Sequence, residues 1–189
     1  MIAGKVTLQW KGDAYKKKAL AARDTALKAT AAYYVERVRA SFTLRARGVP
    51  SAPGTPPSVQ TGDLRRRLFH MLKRPGVAIA GSNLKYARIQ ELGGTIHAKR
   101  TRNLAIPLTP EARRLSSAGN IRSLNLDWMP TKRRGGGLLG RRRGKQFDAL
   151  FVLKPSVRLP PRPYLVPMLR KAFKDMQVVF SRSFAGAMR

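Results

Sequence analysis

With 189 residues, 43% of them hydrophobic, the chain has enough apolar material for one domain with a real core, which excludes a fully disordered polypeptide. Its 39 Lys and Arg against 9 Asp and Glu leave a net charge of +30, so its surface must face polyanion, acidic protein or lipid headgroups, and composition alone does not choose among them. Cysteine is absent, which excludes disulfides, thiolate zinc sites and a cysteine nucleophile; no apolar run approaches the ~20 residues that cross a bilayer, so no membrane partner is expected.

Val6, Leu8 and Trp10 alternate with Thr7 and Gln9, the period of a half-buried strand, and Gly12-Asp13 supplies a turn and an N-cap. This start lacks the continuous apolar stretch of a signal peptide, so assembly in the cytoplasm is expected. From Ala14 to about Leu44 there is no Gly or Pro, and Leu20, Leu27, Tyr34, Val38 and Phe42 recur at helical spacing. At ~1.5 Å per residue this predicts a helix ~45 Å long. The Pro-rich stretch 48–60 has to be an extended loop, because proline removes donors and restricts the residue before it.

Thr61 is placed to cap a short turn at Gly62-Asp63-Leu64, and 68–81 reads as strand, turn, strand about Arg74-Pro75-Gly76. Leu64, Leu68 and Leu72 also fit a helix face. Ser82 or Asn83 caps a short helix that is expected to bury Tyr86, Ile89 and Leu92 and to stop at Gly93-Gly94. Two strands then follow, 95–98 and 103–108, around the basic turn 99–102. After a helical piece from Pro110 to Leu115 comes an irregular segment, and 132–145 carries seven positive charges and no negative ones. Strands are expected at 147–153 and 156–159, and a final helix near Pro167 that buries Leu169, Phe173, Met176, Phe180 and Phe184. The expected fold is a single α+β domain over 1–189. A mainly antiparallel sheet is flanked by a long N-terminal helix and a C-terminal helix, with extended loops 48–60 and 130–146 as assembly arms.

Catalytic chemistry has little to stand on. The nine carboxylates are scattered singly, and His70 and His97 have no Cys or second His at ligand spacing, so no catalytic residue, metal site or cofactor is expected. Gly140-Arg141-Arg142-Arg143-Gly144-Lys145-Gln146 has three residues between its glycines where a phosphate-binding loop needs four, and Gln146 stands where Ser or Thr would hold magnesium. No Gly-x-Ser-x-Gly elbow is present. A hydrolase assembled from distant residues is the least supported class.

Basicity is distributed: without 132–145 the chain would still carry 23 of its 30 net charges. Such cations neutralise phosphates and release counterions, giving an affinity that falls steeply with salt. Base-specific readout has no carrier, since there is no helix-turn-helix, zinc-finger or RNP-type pattern and only 7% of residues are aromatic. Lys132, Arg133, Arg134, Arg141, Arg142, Arg143 and Lys145 are the candidate contacts to DNA or a partner, and Gly135 to Gly137 would let them move.

Three segments carry a likeness. Thr61-Gly62-Asp63-Leu64-Arg65, then the Gly81-Ser82-Asn83 to Gly94 stretch with Tyr86, Ala87, Glu91 and Gly93, then Pro160 to Leu165 with Arg162-Pro163-Tyr164-Leu165, occur in an order that resembles the phage virion morphogenesis family. The resemblance runs from about 48 to 175. It implies a tail completion, minor tail or head–tail joining protein of a tailed bacteriophage: a non-catalytic structural component of the virion neck or head-proximal tail. Its partners would be copies of itself in a ring, expected to be hexameric, neighbouring neck and tail proteins, and genomic DNA in the channel.

By matching position, Thr61, Gly62 and Leu64 would shape the first loop, Tyr86, Ala87, Glu91 and Gly93 the central turn, and Arg162, Pro163, Tyr164 and Leu165 a docking segment. Physical reasoning adds that Glu91, the single acid between Asp63 and Glu111, should have a basic partner, within the chain in preference to across an interface. Tyr86 and Tyr164 are expected as core aromatics. The alternative is a basic nucleic-acid-binding protein whose 132–145 loop clamps phosphate backbone.

Overall fold

The computed structural model describes residues 12–44, 49–99, 101–118, 121–131 and 136–189. The strand expected at Val6, Leu8 and Trp10 lies outside them, as do Lys132, Arg133 and Arg134. The fold is α+β, with long helices at both ends of the chain and antiparallel sheets between them. Contacts gather the described residues into two compact units: residues up to Glu91 together with Arg162–Arg189, and Leu92–Pro161.

In the first unit, α1 (Gly12–Ser41) is long because nothing interrupts it: alanine dominates, Asp13 sits in its first turn and Arg39 in its last, both favourable to the helix dipole. The final helix, α5 (Val166–Met188), runs antiparallel to it, as the pairs Tyr34–Leu165, Tyr33–Asp175 and Lys18–Arg189 require. Tyr34, Val35, Val38 and Phe42 of the α1 end join Leu64, Leu68, Ala87 and Tyr164 in one core. Phe42 meets Tyr164 edge-on, with ring centroids 5.3 Å apart.

The strand reading of 68–81 holds over the helical one. β1 (Leu68–Arg74) and β2 (Val77–Ser82) form a hairpin across Pro75-Gly76 that packs on α1. The turn is clasped to the helix, for the Gly76 N–H donates to Asp24 Oδ1 at 2.8 Å. α2 (Asp63–Arg66) is a single turn, preceded by a 2.7 Å bond from the Thr61 hydroxyl to Asp63.

The Pro-rich segment is held against its own unit over much of its length. Val59 N donates to Thr43 O, Ser58 Oγ to Val49 O, and Arg162 Nε to the carbonyl of buried Ser51. Only 52–55 forms a run of exposed residues between them.

α3 (Ala87–Leu92) turns a different face inward from the one expected. Ala87 and Glu91, four apart, are buried, whereas Tyr86 is 41% and Leu92 63% exposed. The core beside it is already filled by Tyr164 and Leu64, and Glu91 enters because hydrogen-bond donors await it there.

In the second unit, β3 (Gly94–His97) pairs with β8 (Ser156–Leu159), and β4 (Leu104–Pro107), β7 (Gln146–Lys154), β6 (Gly137–Arg143) and β5 (Asp127–Pro130) lie in that order in a four-stranded sheet. β3 and β4 therefore do not pair with each other across the basic turn. Each takes a late strand as its antiparallel partner over four residue pairs, β3 with β8 and β4 with β7. α4 (Pro110–Ala118) begins behind the Thr109 hydroxyl, which accepts the Ala112 N–H, and buries Ala112 against Leu150 and Phe151.

The described residues of the supposed loop 130–146 are largely sheet: β5 ends at Pro130, and β6 and β7 meet at a tight Gly144-Lys145 turn. Leu138 and Leu139 make β6 a strand. Gly137 and Gly140 belong to it because a Cβ at either would strike the Trp128 indole or the Asp148 carbonyl.

Candidate functional site

The three resemblance segments meet at the start of α5. Glu91 Oε2 accepts from Tyr164 N at 2.8 Å and from Leu165 N at 3.0 Å, and Glu91 Oε1 accepts from Val166 N at 3.0 Å. The first amides of a helix have no intrahelical acceptor and sit at the positive end of its dipole, so a carboxylate there satisfies donors and field together. The basic partner expected for Glu91 is thus replaced by backbone amides. The sequence conceals this because the helix start lies 73 residues away.

Arg162 closes the same junction from the other side, its N–H donating to Gln90 O at 2.7 Å and its Nε to Ser51 O at 3.0 Å. Pro163 follows, and Tyr164 is 1% exposed. Leu165 O accepts from the Tyr34 hydroxyl at 2.8 Å. Burial, then the nearby Glu91 charge, pushes the Tyr34 and Tyr164 hydroxyls up to about 12, so both stay neutral. Leu64 and Ala87 share the Tyr164 core, while Thr61 is exposed and Gly62 takes a positive φ ahead of α2. In the second unit, Gly93 has φ +69° and lies so close to Pro161 that a Cβ would come within 2.7 Å of its nitrogen. Of the expected core aromatics, then, Tyr164 is buried and Tyr86 is not.

No family model, curated protein or solved structure matches the chain.

The described part of the basic run is not a free cationic arm. Arg141 pairs with Glu111 at 2.9 Å, Arg143 Nε lies 3.7 Å from Asp148, and the Arg142 backbone N–H donates to Asp127 Oδ2 at 2.9 Å. With exposed Lys145, the tip of β6 sets four cations beside three of the nine carboxylates. The exposed ion pairs are individually weak, yet they largely cancel the local field. Among the described residues no group of three or more His, Asp or Glu is placed to hold a metal, and no helix is long and apolar enough to cross a membrane.

The outer face of α5 is apolar and open. Val166, Leu169 and Phe173 are 48%, 42% and 55% exposed, although their spacing had marked Leu169 and Phe173 as core. Met176 packs on the core as expected, joined there by Ala172 and Met168. Periodicity finds an apolar stripe but does not say how much of it the rest of the chain covers.

Proposed function

We propose that the protein is a structural component of a tailed-bacteriophage particle, a tail completion or head–tail joining protein of the neck or head-proximal tail. It acts as a homo-oligomeric ring, expected to be hexameric, around a channel for DNA, and it has no catalytic role. The observation that carries this reading is the convergence of the three ordered segments on one junction built from backbone bonds and apolar packing. Leu64, Ala87 and Tyr164 share a core, and Glu91 gathers the amides of Tyr164, Leu165 and Val166. Residues used in this way hold a scaffold in shape. The unpartnered apolar residues of α5 add support, because a component of a larger particle leaves such surface open for the different proteins it joins.

Negative-stain imaging and mass measurement of nuclease-treated protein test the reading. A closed ring with several-fold the 21.0 kDa chain mass is expected. A particle that forms only with nucleic acid present, and falls to a single chain after nuclease, would assign the protein to phosphate-backbone binding instead.

A further inference from the structure

The outer face of α5 has a pattern, not only exposure. Val166, Leu169, Phe173, Phe180 and Phe184 follow one another at spacings of three, four, seven and four, which places them on one stripe of the helix. At its far end Phe180 and Phe184 stack, ring centroids 6.1 Å apart and nearly parallel. The first three are exposed, and the last two are half-buried. An alternation of three and four is what a second helix needs to seat its side chains between those of the first.

Charge decides what kind of helix. Arg170 and Lys174 lie along the open flank of the stripe, each beside a stripe member, and both are exposed. The helix has one carboxylate, Asp175, and it is engaged by the Tyr33 hydroxyl at 3.0 Å. A second copy of this chain is a poor source of acid. Asp24, Glu36, Asp63, Glu91, Glu111, Asp127, Asp148 and Asp175, eight of its nine carboxylates, are all engaged within their own subunit. Two such copies would also meet as like-charged bodies.

We propose that the Val166–Phe184 face of α5 is a docking site for an amphipathic helix of a different protein, one whose apolar stripe is flanked by Asp or Glu. Apolar seating would supply the affinity, and Arg170 and Lys174 would set polarity and register through flanking pairs. The site stands on the geometry of α5 alone and does not depend on the phage reading. Contacts between copies of the chain would use other surfaces.

The probe is a fluorescent helical peptide of about three heptads with Leu at the seam and Glu at the flanks. It is compared at about 0.15 M salt, where flanking pairs are only partly screened, with an isomer bearing Lys flanks and another bearing Ser at the seam. The full chain is expected to bind the Glu-flanked, Leu-seam peptide and neither isomer. Leu169→Ser with Phe173→Ser should weaken that binding by about a hundredfold, on the order of a factor of ten for each seated side chain. Both positions are exposed, so the melting curve should be unchanged. As a second variant, Arg170→Glu with Lys174→Glu should reverse the preference towards the Lys-flanked isomer. Equal binding by the Ser pair, equal binding of the Ser-seam peptide, or a concentration-dependent dimer of the chain alone that the Ser pair abolishes would each overturn the proposal.

Discussion

A carboxylate that holds three backbone amides is harder to replace than one paired to a surface arginine, because the amides it releases, one buried and two partly buried, lose their acceptor together. Glu91→Ala should therefore lower unfolding stability by about 3 kcal/mol. Glu91→Gln keeps the shape and one acceptor oxygen but turns an NH2 group towards one of the amides, and should cost about half as much. Urea unfolding followed by circular dichroism reads both. An unchanged midpoint in Glu91→Ala would mean that the residue matters through a contact outside its own chain.

Asp24 allows a test by pH. The Gly76 N–H holds its carboxyl below the ordinary 3.8; burial opposes it as the next largest effect, and the Arg23 side chain adds to the lowering. A depressed folded value makes the contribution complete above the unfolded pKa and lost as pH falls through the folded one. The stability difference between the native chain and Asp24→Asn should accordingly be largest near neutral pH and fade as pH falls below the ordinary 3.8, as paired melting curves would record. A difference that stays constant with pH would remove the clasp from the list of ionised contacts.

Among the elements, those whose signal is local were legible in the sequence. α1 is an uninterrupted run, the 68–82 hairpin is marked by Pro75-Gly76, and β8 follows its predicted span residue for residue. β6 was not legible, because Gly-Leu-Leu-Gly-Arg-Arg-Arg reads as a flexible cationic stretch until Trp128 and Asp148 are seen to occupy the space above its glycines. The face of α3 was hidden for a related reason: burial of Glu91 depends on amides far along the chain, which no window of periodicity includes. Of the candidate site, the ordered segments were recognisable, whereas their meeting point and the open face of α5 required the fold. Gly140→Ala tests the β6 assignment. Its Cβ would overlap the Asp148 carbonyl on the paired strand, backbone that cannot swing away, so a loss of about 2–3 kcal/mol is expected. Arg142→Ala, exposed on the same strand, should shift stability by no more than about 0.5 kcal/mol. Equal thermal melts for the two variants would return 130–146 to a loop.

On the scale of the whole molecule, the net charge of +30 separates assembly from polyanion binding by the sign of one salt dependence. Copies of a strongly basic chain repel one another, and the repulsion is long-ranged only where the Debye length is long, about 30 Å at 0.01 M against about 3 Å at 1 M salt. Apolar contact between subunits is not weakened by screening. A ring of this chain should therefore gain population as salt rises from about 0.05 to 1 M, the screened repulsion no longer opposing it. Binding to DNA behaves oppositely: each neutralised phosphate releases counterions, and log K falls with log salt by roughly 0.9 per contact. Internal pairing sharpens the contrast, because eight of the nine carboxylates already have partners in their own subunit and few ion pairs are left for high salt to break between copies. Sedimentation velocity of nuclease-treated protein across this range reads the result directly. A multimer that grows with salt supports the ring; one that dissolves as salt rises is bridged by polyanion, and a single chain throughout would end the homo-oligomeric reading.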